Sequence, residues 1–243
     1  MKSVKGWVLA SAVLAVALAP ARGATLIAEF ALRGNLNDNL AGPALVSLGG
    51  QITALGYVFA ANQGLTLTSP ALSPTNYSIE LSFKFDATSG WRKIADFHNL
   101  ADDTGFYQYF GNLNFYNVVT ASQTDFSSGV DVHVVLTRDS ASNTVTGYVN
   151  GVQRFSFVDS SPLATVTAPN NQLTFFVDDF ATSQNEASSG TLNFLRVYNG
   201  ALTAADVAAL YAAGSPVAVP EPSTAMLLAL GAAGLLVRRW RRS

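Results

Sequence analysis

The nine residues Tyr77-Ser-Ile-Glu-Leu-Ser-Phe-Lys-Phe85 alternate apolar and polar without a break. Tyr77, Ile79, Leu81, Phe83 and Phe85 fall on one face, and Ser78, Glu80, Ser82 and Lys84 on the other. Period two predicts a half-buried strand. Shorter runs of the same character follow at 92–98, 106–110, 113–118, 132–138, 144–149, 152–158, 173–177 and 191–198. Asn150-Gly151 separates two of them, and this pair suits a type I′ hairpin because both turn positions need positive φ. The segments 119–129 and 182–190 are rich in Ser, Thr and Asn and predict loops. A single soluble helix is expected over 203–213. Thr203 can cap it, Asp206 lies in its first turn, Val207, Leu210 and Tyr211 form its apolar face, and Gly214 with Pro216 ends it. Many antiparallel strands and one late helix predict an all-β fold, a two-sheet antiparallel β-sandwich or jelly roll with one short C-terminal helix.

Two apolar runs at the chain ends break this pattern. Near the start, Lys2 and Lys5 precede an apolar stretch from Trp7 to Leu18, and Ala19-Pro20-Ala21-Arg22-Gly23-Ala24 supplies small residues for cleavage. This predicts a secretory signal peptide over 1–24. At the other end, Val219-Pro220-Glu221-Pro222-Ser223-Thr224 leads into an apolar run and then Arg238-Arg239-Trp240-Arg241-Arg242-Ser243. The run from Ala225 to Val237 is 13 residues, short of the roughly 20 that span a bilayer comfortably. Pro220 and Pro222 stop a helix from extending upstream, and the arginines favour the cytoplasmic side. A short transmembrane helix over 223–237 with only transient contact with the inner membrane is expected, joined to the sandwich by a linker over 215–219.

This tail resembles the PEP-CTERM sorting signal of Gram-negative bacteria. The resemblance implies recognition of Pro220, Glu221 and Pro222 by an exosortase, with Arg238, Arg239, Arg241 and Arg242 completing the signal. It also implies the secretion machinery as a partner, a destination at the outer surface or in the extracellular matrix, and association with extracellular polysaccharide.

Charge changes the picture once the two ends are set aside. The whole chain is near neutral at −2, yet residues 25–219 carry two Lys and five Arg against 15 acidic residues, a net of −8. An acidic export domain without a basic stripe excludes nucleic acid as a partner. Cysteine is absent, so the domain depends on its core rather than on disulfides, and thiol or zinc-finger chemistry is excluded.

Three segments of the middle resemble the laminin-G-like, concanavalin A-like jelly-roll superfamily. They are Phe30-Ala-Leu-Arg-Gly-Asn-Leu-Asn-Asp38, then Val132-His-Val-Val-Leu-Thr-Arg138 leading to Gly147-Tyr-Val-Asn-Gly151, and Gly190-Thr-Leu-Asn-Phe-Leu-Arg-Val-Tyr198 with the helix after it. The resemblance covers 25–214 and implies two curved antiparallel sheets that often bind glycans or proteins, commonly with calcium. Many relatives carry an Asp-Glu pair before the Arg-Val-Tyr strand, where this chain has Asn193 and Phe194.

Candidate chemistry is sparse. Asp178 and Asp179, with Glu186 on the same loop and Asp38 from the early turn, offer hard oxygen ligands suited to calcium; turn-capping aspartates are the alternative reading. Asp102-Asp103 reads as a turn. Trp91, Tyr107 and Tyr109 belong to a dense aromatic stretch that could stack on sugar rings, although one face of each strand must be core. The only glutamates outside the tail are Glu29, Glu80 and Glu186. Glu80 stands alone on its strand face, so no paired-carboxylate strand of a glycosidase is evident. His133, between Val132 and Val134, and His98, near Asp96 and Asp102, read as structural. The expectation is an exported, non-enzymatic structural or adhesive sandwich. A lectin-like carbohydrate-binding module, with or without calcium, is the alternative, and a glycoside hydrolase a more distant one.

Overall fold

A computed structural model describes residues 23–167 and 171–214. The expected signal peptide, apart from Gly23 and Ala24, the linker and the sorting tail lie outside the described residues. Fifteen strands precede one helix: β1 Thr25–Phe30, β2 Val46–Ser47, β3 Gln51–Ile52, β4 Tyr57–Phe59, β5 Leu65–Thr68, β6 Tyr77–Phe85, β7 Trp91–Asp96, β8 Gly105–Tyr109, β9 Asn112–Tyr116, β10 Val119–Thr124, β11 Val132–Asp139, β12 Thr144–Val149, β13 Val152–Val158, β14 Gln172–Phe175, β15 Gly190–Asn199 and α1 Ala204–Ala213. They form two antiparallel sheets, as the alternation predicts. One runs β13-β12-β11-β6-β15-β4-β3, with β1 also on β15; the other runs β10-β9-β8-β7-β14-β5-β2.

Chain start and chain end meet in the first sheet. The long last strand β15 lies between β6 on one side and β1 and β4, end to end, on the other. Between the sheets, Phe59, Phe83, Phe85 and Phe176 form an aromatic knot with centroid separations of 4.6 Å (Phe59–Phe176), 5.0 Å (Phe83–Phe85) and 5.1 Å (Phe83–Phe176). Asn150 and Gly151 take φ of 49° and 78°, the positive pair that a two-residue hairpin requires. Thr203 and Asp206 form a reciprocal capping box at the start of α1.

Two expectations are corrected here. First, β6 is buried on both faces rather than one. Its polar face lies under a hydrogen-bonded network covered by neighbouring strands and α1, so Glu80 does not stand alone. Tyr198 donates its hydroxyl to Glu80 Oε2 at 2.6 Å, His133 Nε2 meets Oε1 at 3.0 Å, and Arg196 bridges from Glu80 to Glu29. Burial pushes the Glu80 carboxyl up, but the hydrogen bonds from His133 and Tyr198 and the Arg196 charge outweigh it and hold the carboxyl below its ordinary range. Second, part of the predicted loop 119–129 is the edge strand β10, which pairs with β9 through Val119 and Thr120. Ala121 is its one buried residue, which leaves little period-two signal to read.

The fold predicts its own weak point. Phe83 is fully buried in the aromatic knot, and Phe83→Ala should cost about 3–5 kcal/mol, read as a lower midpoint in urea denaturation.

Candidate functional site

The outer face of the second sheet collects the aromatic residues that alternation places there. Trp91 opposes Tyr109, and Lys93 opposes Tyr107, in antiparallel register between β7 and β8; Tyr107 in turn opposes Asn114 on β9. Trp91 stacks on Tyr109 with centroids 3.9 Å apart and meets Tyr116 edge-on at 5.2 Å. Trp91, Tyr109 and Tyr116 are partly exposed, while Tyr107 is fully buried. Phe110, in the turn after β8, is 60% exposed and packs edge-on against Tyr109. The predicted trio Trp91, Tyr107 and Tyr109 is therefore brought together, but only Trp91 and Tyr109 offer ring surface. Tyr107 serves as the wall behind them.

That wall connects the platform to a cluster of carboxylates. The chain leaving β14 folds across this face, and Lys93 donates its backbone N–H to the Glu186 carbonyl at 2.8 Å. The Lys93 ammonium is fully buried against Asp179 Oδ2 at 2.7 Å and Asp96 Oδ2 at 3.3 Å, and lies 5.0 Å from the Tyr107 ring centre. The Tyr107 hydroxyl lies 3.2 Å from Asp179 Oδ2 and 3.1 Å from Asp103 Oδ1. Asp179 Oδ1 accepts the backbone N–H groups of Ala181 and Thr182. Asp178 Oδ2 accepts Thr182 Oγ1–H and the Glu186 N–H, and its buried Oδ1 has no partner.

Electrostatics follow from one ammonium among Asp96, Asp103, Asp178, Asp179 and Glu186. Burial raises the Asp179 pKa, but the Lys93 hydrogen bond and charge bring it below the ordinary range. Desolvation, with Asp103, Asp178 and Asp179 nearby, pushes Glu186 up to about 7. Desolvation and the Asp179 charge also raise Asp103, whose own charge raises the Tyr116 phenol.

The predicted calcium set is brought together in part. Asp178, Asp179 and Glu186 share the loop. Asp38 is taken up by its own turn, accepting the backbone N–H groups of Glu29, Leu40 and Gly42. β1 does lie beside β15, but the Asp38 carboxylate points back to its own segment. Lys93 already supplies a cation to Asp179 and Asp96, and among the described residues no group of three or more His, Asp or Glu is arranged to hold a metal. Sequence reasoning missed Lys93 and Asp103. Lys93 follows Trp91 by two residues and so shares its face, a signal that alternation carried. Asp102 builds the turn, accepting the Thr104 N–H and meeting His98 Nδ1 at 2.8 Å, whereas Asp103 turns to the site.

On the opposite side of the sandwich, a hollow of about 230 Å³ lies beside the C-terminal end of α1, lined by Ser82, Asp131, His133, Asn150, Phe194 and Tyr211. Asn193, in place of an acidic residue, donates to Asp131 Oδ1 at 2.8 Å. Its neighbour Phe194 stacks under the Arg196 guanidinium.

Comparison with known proteins fits this architecture. The Concanavalin A-like lectin/glucanases superfamily profile matches residues 59–208, and the PEP-CTERM protein-sorting motif matches 218–242. No curated protein matches the chain significantly. Among solved structures, domain 4 of an extracellular GH43 arabinanase from Geobacillus stearothermophilus, in complex with arabinotriose, is similar at a TM-score of 0.55 and 19% identity, over 77% of this chain and 98% of that one. The botulinum neurotoxin serotype D binding domain gives a TM-score of 0.59 at 11% identity, over 78% of this chain and 52% of that one. Trypanosoma rangeli sialidase gives 0.56 at 13%, over 76% of this chain and 32% of that one. At these identities the likeness is one of fold.

The raised Glu186 pKa has a definite sign. A carboxyl held up to about 7 binds its proton more tightly in the folded state, so its contribution to stability is full below its unfolded pKa of about 4.5 and is lost as pH rises through about 7. Melting temperature should fall between pH 5 and 8, and Glu186→Gln should flatten most of that fall, with Asp103 leaving a residual slope.

Proposed function

The chain belongs to the concanavalin A-like lectin/glucanases superfamily, and on that premise we propose that it is an adhesive, non-catalytic sandwich holding polysaccharide at the cell surface or in the extracellular matrix. The PEP-CTERM motif implies processing by an exosortase and membrane-associated sorting to the cell surface. Among the described residues no helix is long and apolar enough to cross a membrane; the expected span 223–237 lies outside them. The observation that carries the glycan reading is the Trp91–Tyr109 stack at 3.9 Å, a partly exposed aromatic surface on an outer sheet face of the kind that packs against the apolar faces of sugar rings. The arabinotriose held by the similar arabinanase domain supports the same ligand class.

Non-catalytic is the preferred reading because Glu80 and Glu29 are committed to Arg196, His133 and Tyr198. One observation favours hydrolysis as a second reading: Glu186, held up to about 7 beside Asp103, has the protonation of a general acid. Calcium is part of the proposal as a ligand of the 178–186 loop, through Asp178 Oδ1 and Glu186.

Glycan-array binding by residues 23–214 should be detectable and should fall at least about tenfold in Trp91→Ala, the order set by losing one sugar–ring stack, with no release of reducing ends. Unchanged binding in that variant sinks the platform, sugar release favours the hydrolase, and equal melting in excess calcium and chelator removes the metal. Mass spectrometry of exported material should find a C-terminus near Pro220 to Pro222; a chain intact through Ser243 contradicts processing.

A further inference from the structure

Resting on the glycan reading of the Trp91 platform, we propose that the polysaccharide held there carries protonated primary amines, as in a polymer of de-N-acetylated hexosamines. The site is built for ammonium groups. Its own Lys93 shows how one is received, by Asp179 Oδ2 at 2.7 Å, Asp96 Oδ2 at 3.3 Å and the face of Tyr107 at 5.0 Å. One ammonium among five carboxylates leaves an excess of acid, and desolvation together with that crowding holds Glu186 up to about 7 until a further cation arrives. Asp103 and Glu186 remain partly exposed beside the platform, and no residue forms an ion pair with either among the described residues. Beneath them Asp178 is fully buried, and its Oδ1 is without a partner.

The platform and the carboxylates are one surface. The Tyr107 ring meets Trp91 edge-on at 5.8 Å and Tyr116 at 6.2 Å, while its hydroxyl touches Asp179 and Asp103. A sugar ring on Trp91 therefore places its substituents toward Asp103 and Glu186. An ammonium there gains charge-assisted hydrogen bonds and the adjoining aromatic faces. A neutral acetamide gains neither, and a uronate or sulfate meets repulsion.

Isothermal titration at pH 6.5, where most of the hexosamine amines carry a proton, with the glucosamine tetramer, its fully N-acetylated counterpart and a galacturonate tetramer tests this. The glucosamine tetramer should bind about tenfold or more tighter than the acetylated one, the scale of one charge-assisted hydrogen bond, and the galacturonate should not bind. In Glu186→Gln and Asp103→Asn, each checked for folding by its melt, the preference for the amine should shrink toward unity. Trp91→Ala should weaken both hexosamine tetramers. Equal affinity for the two, or an amine preference that survives both carboxamide variants, overturns the inference while a Trp91→Ala loss keeps the platform. Failure of every glycan to bind overturns both.

Discussion

A buried ammonium organises the functional face. Lys93 sits at zero exposure between Asp96 and Asp179, a position that is tolerable only because carboxylates surround it. The pairing ties β7 to the segment that follows β14, so the 178–186 loop is drawn across an otherwise flat sheet. It also fixes Tyr107 upright between ammonium and carboxylates, and Tyr107 in turn backs Trp91 and Tyr116. Platform, loop and charge cluster are thus consequences of one ion pair formed between residues 86 positions apart.

The two outer faces of the sandwich are handled in opposite ways. On the eight-stranded sheet, Glu80, Arg196, His133 and Tyr198 satisfy one another and α1 seals part of the surface with Val207 against Val135, Tyr148 and Tyr198. Each carboxylate there has hydrogen-bonding partners among Arg196, His133 and Tyr198, and the result is structural. On the seven-stranded sheet no helix among the described residues covers β8 and β9, the rings remain partly open, and carboxylates outnumber the one ammonium. In the proposed reading, the hydrogen-bonded network serves stability and the open face serves recognition.

Much of this was legible where the physics is local. Alternation located β6, β11, β12 and β13, because a period of two needs only a strand of adequate length. Asn150-Gly151 announced its hairpin and Thr203 its helix. The first 70 residues hid five strands of two to six residues, too short for a period to show. β10 hid because an edge strand with one buried side chain lacks alternation. Burial of both faces of β6 was invisible, since Ser78, Glu80 and Ser82 look like solvent-facing residues until His133, Arg196 and Tyr198 are brought opposite them. Alternation put Lys93 on the face of Trp91, but its role is completed by Asp179, 86 positions away, and composition records only that acids outnumber bases.

The cap at Gly214 ends α1 on the sealed side of the sandwich, with its N–H bonded to the Tyr211 carbonyl at 3.2 Å. The sorting motif begins at residue 218, so only three residues separate it from the folded domain, a reach of about 10–14 Å. Eight residues, 215–222, separate Gly214 from the expected span at 223–237, so before processing the tail leaves the domain from its α1 side. Under the proposed reading, Trp91 and its carboxylates lie on the sheet opposite that point of departure, so tethering and recognition would not compete for one face.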